Sequence, residues 1–161
     1  MYHIDLNKVQ YPAKRAEELA KQRGNKIKQL VTFGQRDPKG ELIKAFTQTE
    51  AEEFTKELIW NPLENSKSAI LLAIENYLKL AFWDKENKNV VAPIPTRSRA
   101  AKVARKVEDS EGNELELSVD DMDFLMKAFE QDGPANNDFI YVYEVLAEAV
   151  EEEKLKKAIA K

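Results

Sequence analysis

The sequence predicts a helix-rich α+β protein, with an α-helical core of about four to five helices and one or two small β-hairpins at its edge. Three observations predict it. Apolar residues recur at three- and four-residue intervals over several long segments, the periodicity of a helix with one buried face. Hydroxyl-x-x-acid boxes at Thr47 and Ser118 mark helix starts. Between the helical stretches lie short runs that favour strands, flanked by clusters of Gly, Asp, Asn and Pro.

Residues 1–10 alternate weakly through Ile4, Leu6 and Val9 and read as a short edge strand or an extended arm. Pro12 at a first helical position and Gly24 at a stop position bracket a helix over 12–23, whose thin apolar side makes it peripheral. IKQLVTF and ELIKAF, separated by GQRDPKG, read as a hairpin, and the competing reading runs a helix from near Lys39 to Trp60. Thr47 and Glu50 form a capping box for a helix over 50–60, which Asn61-Pro62 stops. A second helix from about Ser66 to Phe82 carries a wide stripe (Ile70, Leu71, Ile74, Tyr77, Leu78, Ala81), as expected at the centre of a core. The two helices read as an αα-hairpin.

Residues 84–89 form a polar loop and VVAPIP an extended stretch, so 84–96 is the expected hinge within a single domain over 1–161. TRSRAAKVARK then reads as helix, and KVEDSEGNELEL as a second hairpin turning at Glu111-Gly112-Asn113. Ser118 caps a helix carrying Met122, Leu125, Met126 and Phe129 that ends near Gly133-Pro134. A last helix runs from about Asn137 into a charged tail.

Composition bounds the function. With 161 residues and 43% apolar residues the chain has enough material for a real core. Its net charge of −4 provides no overall attraction to nucleic acid, so such binding needs a local patch. The absence of cysteine removes disulfides, thiolate nucleophiles and zinc–thiolate sites. The one histidine, His3, reads as a solvent-facing residue of the first strand, and a lone histidine removes Ser-His-Asp and Cys-His chemistry and most zinc sites. No glycine-rich phosphate loop is present. The start lacks the pattern of a secretory signal, and no apolar run approaches the roughly 20 residues of a membrane span, so the expected location is cytoplasmic.

The sharpest feature is a charge reversal. Residues 93–107 carry Arg97, Arg99, Lys102, Arg105 and Lys106 and no acid, whereas 108–123 carry eight acids and no base. The basic run suits phosphate or an acidic partner, and the two runs equally suit mutual neutralisation. Asp120, Asp121 and Asp123 have the donor type for magnesium, but at a helix start they also complement the helix dipole. The run from Asp132 to Asp138 lacks calcium-loop spacing and reads as a turn with an N-cap. Trp60, Trp83, Tyr141 and Tyr143 are candidate interface anchors, with closure of the core ends as the alternative.

The expectation is therefore a non-catalytic adaptor or assembly factor without a metal or cofactor. It would bind a protein partner, or itself as a homo-oligomer, through Arg97, Arg99, Lys102, Arg105, Lys106, Trp60, Trp83, Tyr141 and Tyr143. The alternatives are a nucleic-acid binder using 97–106 and, more weakly, a magnesium-dependent enzyme using Asp120, Asp121 or Asp123. No membrane partner is expected.

Overall fold

A computed structural model describes residues 1–131 and 137–160. In chain order its elements are β1 (Tyr2–Asp5), α1 (Lys14–Phe33), β2 (Gln35–Arg36), β3 (Leu42–Lys44), α2 (Gln48–Phe54), α3 (Pro62–Ala81), β4 (Trp83–Asp84), β5 (Asn89–Val90), α4 (Ile94–Asp109), β6 (Glu114–Leu117), α5 (Val119–Glu130) and α6 (Asn137–Ala160). The protein is a helix-rich α+β chain in which six helices accompany three two-stranded antiparallel sheets among the described residues. No helix of the described residues is long and apolar enough to cross a membrane. The chain divides into two compact units, Met1–Gln10 with Pro62–Lys161, and Tyr11–Asn61. The 84–96 stretch lies inside the first of them.

The first unit is built on α3, which packs against α4, α5 and α6. Pro62 occupies its first position, where the missing N–H costs nothing, and keeps the preceding Asn61 out of the helix. The predicted stripe buries Ile70, Ala73 and Ile74, and the neighbours add Val103 and Val107, Met122 and Leu125, and Val142 and Leu146. Each fully buried Leu or Ile contributes about 1.5–3 kcal/mol by leaving water. β1 pairs with β6, setting Tyr2 opposite Leu117, His3 opposite Glu116, Ile4 opposite Leu115 and Asp5 opposite Glu114. Alternation then turns Ile4, Leu115 and Leu117 inward and leaves His3, Glu114 and Glu116 outside.

That pairing corrects the expected hairpin at 106–117. Residues 106–109 finish α4, and β6 takes its partner from the far N-terminus because its buried face of Leu115 and Leu117 is completed by Ile4. The 84–89 loop is the tip of the β4–β5 hairpin, where Asp84 accepts from the Glu86 N–H at 3.0 Å and the Asn87 side-chain amide at 2.7 Å. Helix α5 ends at Glu130. The turn expected at 132–138 lies mostly outside the described residues.

In the second unit, α1 runs through Gly24 to Phe33, so neither a stop at 24 nor a strand at 27–33 is present. A helical glycine costs about 1 kcal/mol relative to alanine, and the buried cluster of Leu30, Phe46 and Ala51, with Ile27 packed on it, outweighs that cost. What remains of the first hairpin is the short β2–β3 pair. Its turn is held by Asp37, which accepts from the Lys39 and Glu41 N–H groups at 2.9 and 2.8 Å. The capping box at Thr47 and Glu50 starts α2 as expected. α2 ends at Phe54 and gives way to a 3-10 turn over Lys56–Leu58, as the buried Thr55 hydroxyl donates back to the Ala51 carbonyl at 2.8 Å. The expected core hairpin of 50–60 with 66–83 is therefore replaced. α2 packs with α1 in the second unit, while α3 is the centre of the first.

Candidate docking surface and the charge-reversal node

The two halves of the charge reversal meet at Asp121. Ser118 and Asp121 form a capping box at the start of α5: the Asp121 N–H donates to the Ser118 hydroxyl at 3.1 Å, and the Ser118 N–H donates to the Asp121 carboxylate at 3.2 Å. This places the carboxylate inside the unit, with the side chain 1% exposed. On α4, Arg99 and Lys106 stand seven residues apart, two helical turns, and so project from one side. Arg99 donates to one Asp121 oxygen at 2.7 Å and lies 3.7 Å from Asp120, while Lys106 donates to the other Asp121 oxygen. Burial alone would push the Asp121 carboxyl up, but Lys106, Arg99 and Ser118 together hold it well below the usual carboxylate range. The node is a structural clamp between α4 and α5. Asp121 spends its oxygens on these cations, and Asp120 and Asp123 are exposed on the first turns of α5.

Arg97, Lys102 and Arg105 face solvent and make no ion pair with an acid among the described residues. Arg105 donates to the Ala101 carbonyl at 3.3 Å on its own helix. At 3.6 residues per turn these three side chains spread over about 140° of α4, so they form no single stripe. The structure thus joins Arg99 and Lys106 and leaves the other three apart.

The aromatic candidates are dispersed as well. Trp60 stacks edge-to-face on Tyr11 with ring centroids 5.1 Å apart, so the aromatic side chains at the two ends of the second unit clasp each other. In the first unit Trp83 sits in β4 opposite Val90 and is 49% exposed. Tyr141 is half-buried on α6. The Tyr143 hydroxyl donates to Glu130 at 3.0 Å, a bond that raises its pKa because losing the proton would set two anions side by side.

A further surface lies in the second unit. Its interior holds little beyond Leu30, Phe46, Ala51 and Thr55. Large apolar side chains stay outside: Phe33 and Ile43 are each 61% exposed and Leu42 is 54% exposed, with Val31, Phe54 and Ile59 also exposed. Leu42 stands opposite Arg36, Lys44 opposite Gln35, and Ile43 is the extra residue where the register shifts, so the β2–β3 ribbon carries two adjacent exposed apolar side chains. Gly34 sets the ribbon against the end of α1. Its φ of +68° suits glycine, and a Cβ there would meet the Leu42 side chain and the Lys44 carbonyl oxygen at 2.6 Å each. Lys44 lies 4.9 Å over the Phe46 ring and pairs with Glu50 at 3.2 Å. Residues 19–36 contain Lys21, Arg23, Lys26, Lys28 and Arg36 and no acid, a longer basic run with as many cations as 97–106. Arg23 turns inward to Thr55 and the Glu52 carbonyl, and the other four are exposed.

In the sequence, Phe33, Leu42 and Ile43 look like ordinary residues of the expected hairpin. The available signal was that 27–46 contains more apolar side chains than a short ribbon can cover. Neither protein-family models, curated proteins nor solved structures match this chain.

Proposed function

We propose that this protein is a non-catalytic adaptor or assembly factor that docks another protein through the β2–β3 ribbon of its second unit. The observation that carries the reading is the inversion of that unit: a small buried cluster supports a ribbon whose Leu42 and Ile43, with Phe33 beside it, remain outside. Exposed apolar side chains of this size mark interaction sites when they cluster, and an open ribbon edge offers main-chain groups to an added strand. Lys26, Lys28, Arg36 and Lys39 are exposed in the same unit and favour an acidic partner segment, accelerating its approach. The test is a photo-crosslinking residue at position 43, compared in the parent and in a Phe33→Ser, Leu42→Lys variant. A defined adduct, either to a partner or to a second copy, that the variant loses supports the reading. Equal adducts in both proteins, or none in the parent, refute it.

A second reading keeps Arg97, Lys102 and Arg105 as separate phosphate contacts along the exposed side of α4, favoured by the absence of an acidic pair with them among the described residues. Anisotropy with single- and double-stranded DNA and RNA across a salt series tests it. The triple alanine variant should then flatten the log–log salt slope by about 0.9 per lost contact.

A further inference from the structure

The outer face of the β1–β6 pair gathers the donors of a metal site, and we infer that it binds a divalent transition ion of the zinc type. The inference is independent of the docking reading. His3 Nδ1 lies 3.2 Å from Glu114 Oε1 and 3.5 Å from Glu116 Oε1, and the three ligand atoms lie within 4.8 Å of one another. Zinc bonds imidazole nitrogen and carboxylate oxygen at about 2.0–2.2 Å, and tetrahedral angles then set neighbouring ligands about 3.4 Å apart. The two nitrogen–oxygen edges match that figure. Mixed nitrogen and oxygen donors favour zinc over magnesium, which prefers an octahedron of oxygens.

The backbone holds this triad in place. His3 stands directly opposite Glu116 in the strand register, and Glu114 is two residues along on the same face. A slip by one residue would turn Ile4, Leu115 and Leu117, all 1% exposed or less, out of the core, so burial fixes the donor set. The surrounding charge also favours a cation. Asp5 faces Glu114 across the strands, a like-charge juxtaposition that a bound cation would relieve. Asp5 is engaged by the Asn7 N–H and the Asn113 amide, so it contributes field rather than a ligand. Glu148 and Glu152 of α6 line a depression together with His3. Lys106, which borders Glu114 and Glu116, is committed to Asp121, and Lys8 lies beside Asp5. Three protein ligands leave one position of the tetrahedron for water or a partner's donor.

The chain has a single histidine, so its Cε1–H and Cδ2–H give one unambiguous pair of ring NMR signals. The experiment titrates Zn²⁺ into the full chain extended N-terminally by a Gly-Ser segment, which removes the terminal amine as a ligand. The expected result is that the His3 ring signal shifts and saturates at one equivalent, while Mg²⁺ leaves it in place. The Glu114→Gln, Glu116→Gln double variant should bind at least about tenfold more weakly, since loss even of groups that only support metal ligands costs 10–100-fold. Both glutamates are exposed, so the variant keeps its fold, as circular dichroism will check. A ring signal unmoved by Zn²⁺, or an unchanged titration in the double variant, would overturn the site.

Discussion

Replacing Asp121 with alanine tests whether the charge reversal is an internal clamp. The substitution removes two charge-assisted hydrogen bonds, from Arg99 and Lys106, and one side of the α5 capping box. A hydrogen bond to a charged group is worth about 1.5–3 kcal/mol when both partners are withdrawn from water. The side chains of Arg99 and Lys106 are 33% and 41% exposed, so they rehydrate when their acceptor disappears and the loss falls to about half that range. The cap adds about 1 kcal/mol. The expected destabilisation is therefore about 3 kcal/mol, which for a chain of this size lowers Tm by about 6–12 °C. Asp121→Asn keeps an acceptor for the Ser118 N–H but loses the charge, and should cost about 2 kcal/mol. Urea unfolding followed by Trp83 fluorescence in a Trp60→Phe background reads the first unit selectively. A coupling measurement sharpens it: Arg99→Ala should cost much less when Asp121 is already alanine. A change within about 0.5 kcal/mol of the parent, the range of ordinary surface substitutions, would refute the clamp, as would full additivity.

The remaining predictions concern pH and the second unit. Because the Asp121 carboxyl is held below its unfolded value, its contribution is fully present above the unfolded carboxylate pKa of about 3.9 and is lost as pH falls toward the folded value. The stability gap between parent and Asp121→Asn should accordingly shrink as acid unfolding curves are taken below about pH 4, and a constant gap would count against the assignment. Two glycines of the second unit should respond with opposite sign. Gly24→Ala meets open space inside a helix and should stabilise by about 0.5–1 kcal/mol. Gly34→Ala forces a Cβ onto the Lys44 carbonyl at positive φ and should cost about 1–3 kcal/mol or more. Hydrogen exchange of the α1 amides reads both, and destabilisation by Gly24→Ala would mean that the helix stops there.

The chain shows why some of this was legible in residues and some was not. Capping boxes at Thr47 and Ser118 operate across three residues of contiguous backbone, so their residue types suffice to locate a helix start. The wide stripe of α3 is likewise a local periodicity, and it correctly marked the centre of the first unit. Gly24 misled because a glycine's preference is a matter of about 1 kcal/mol. The packing of Ile27 and Leu30 on Phe46 and Ala51, some twenty residues away, exceeds it. The strand 114–117 was visible from its alternation, but its partner was not, since hydrogen-bonding edges carry no address and only the fold brings Tyr2–Asp5 alongside.

The candidate sites divide the same way. Sequence alone determined the charge reversal and the lack of cysteine and of a second histidine, while the exposure of Phe33 and Ile43 came from the fold. Tertiary structure alone decided that Arg99 and Lys106 turn inward to Asp121 while Arg97, Lys102 and Arg105 stay in solvent, because helical phase selects which side of α4 faces α5. It alone set His3 beside two glutamates more than a hundred residues away. Charge and hydrophobicity are properties of single residues and can be read one letter at a time. Proximity depends on which buried faces find each other, and that is settled by the packing of the whole unit.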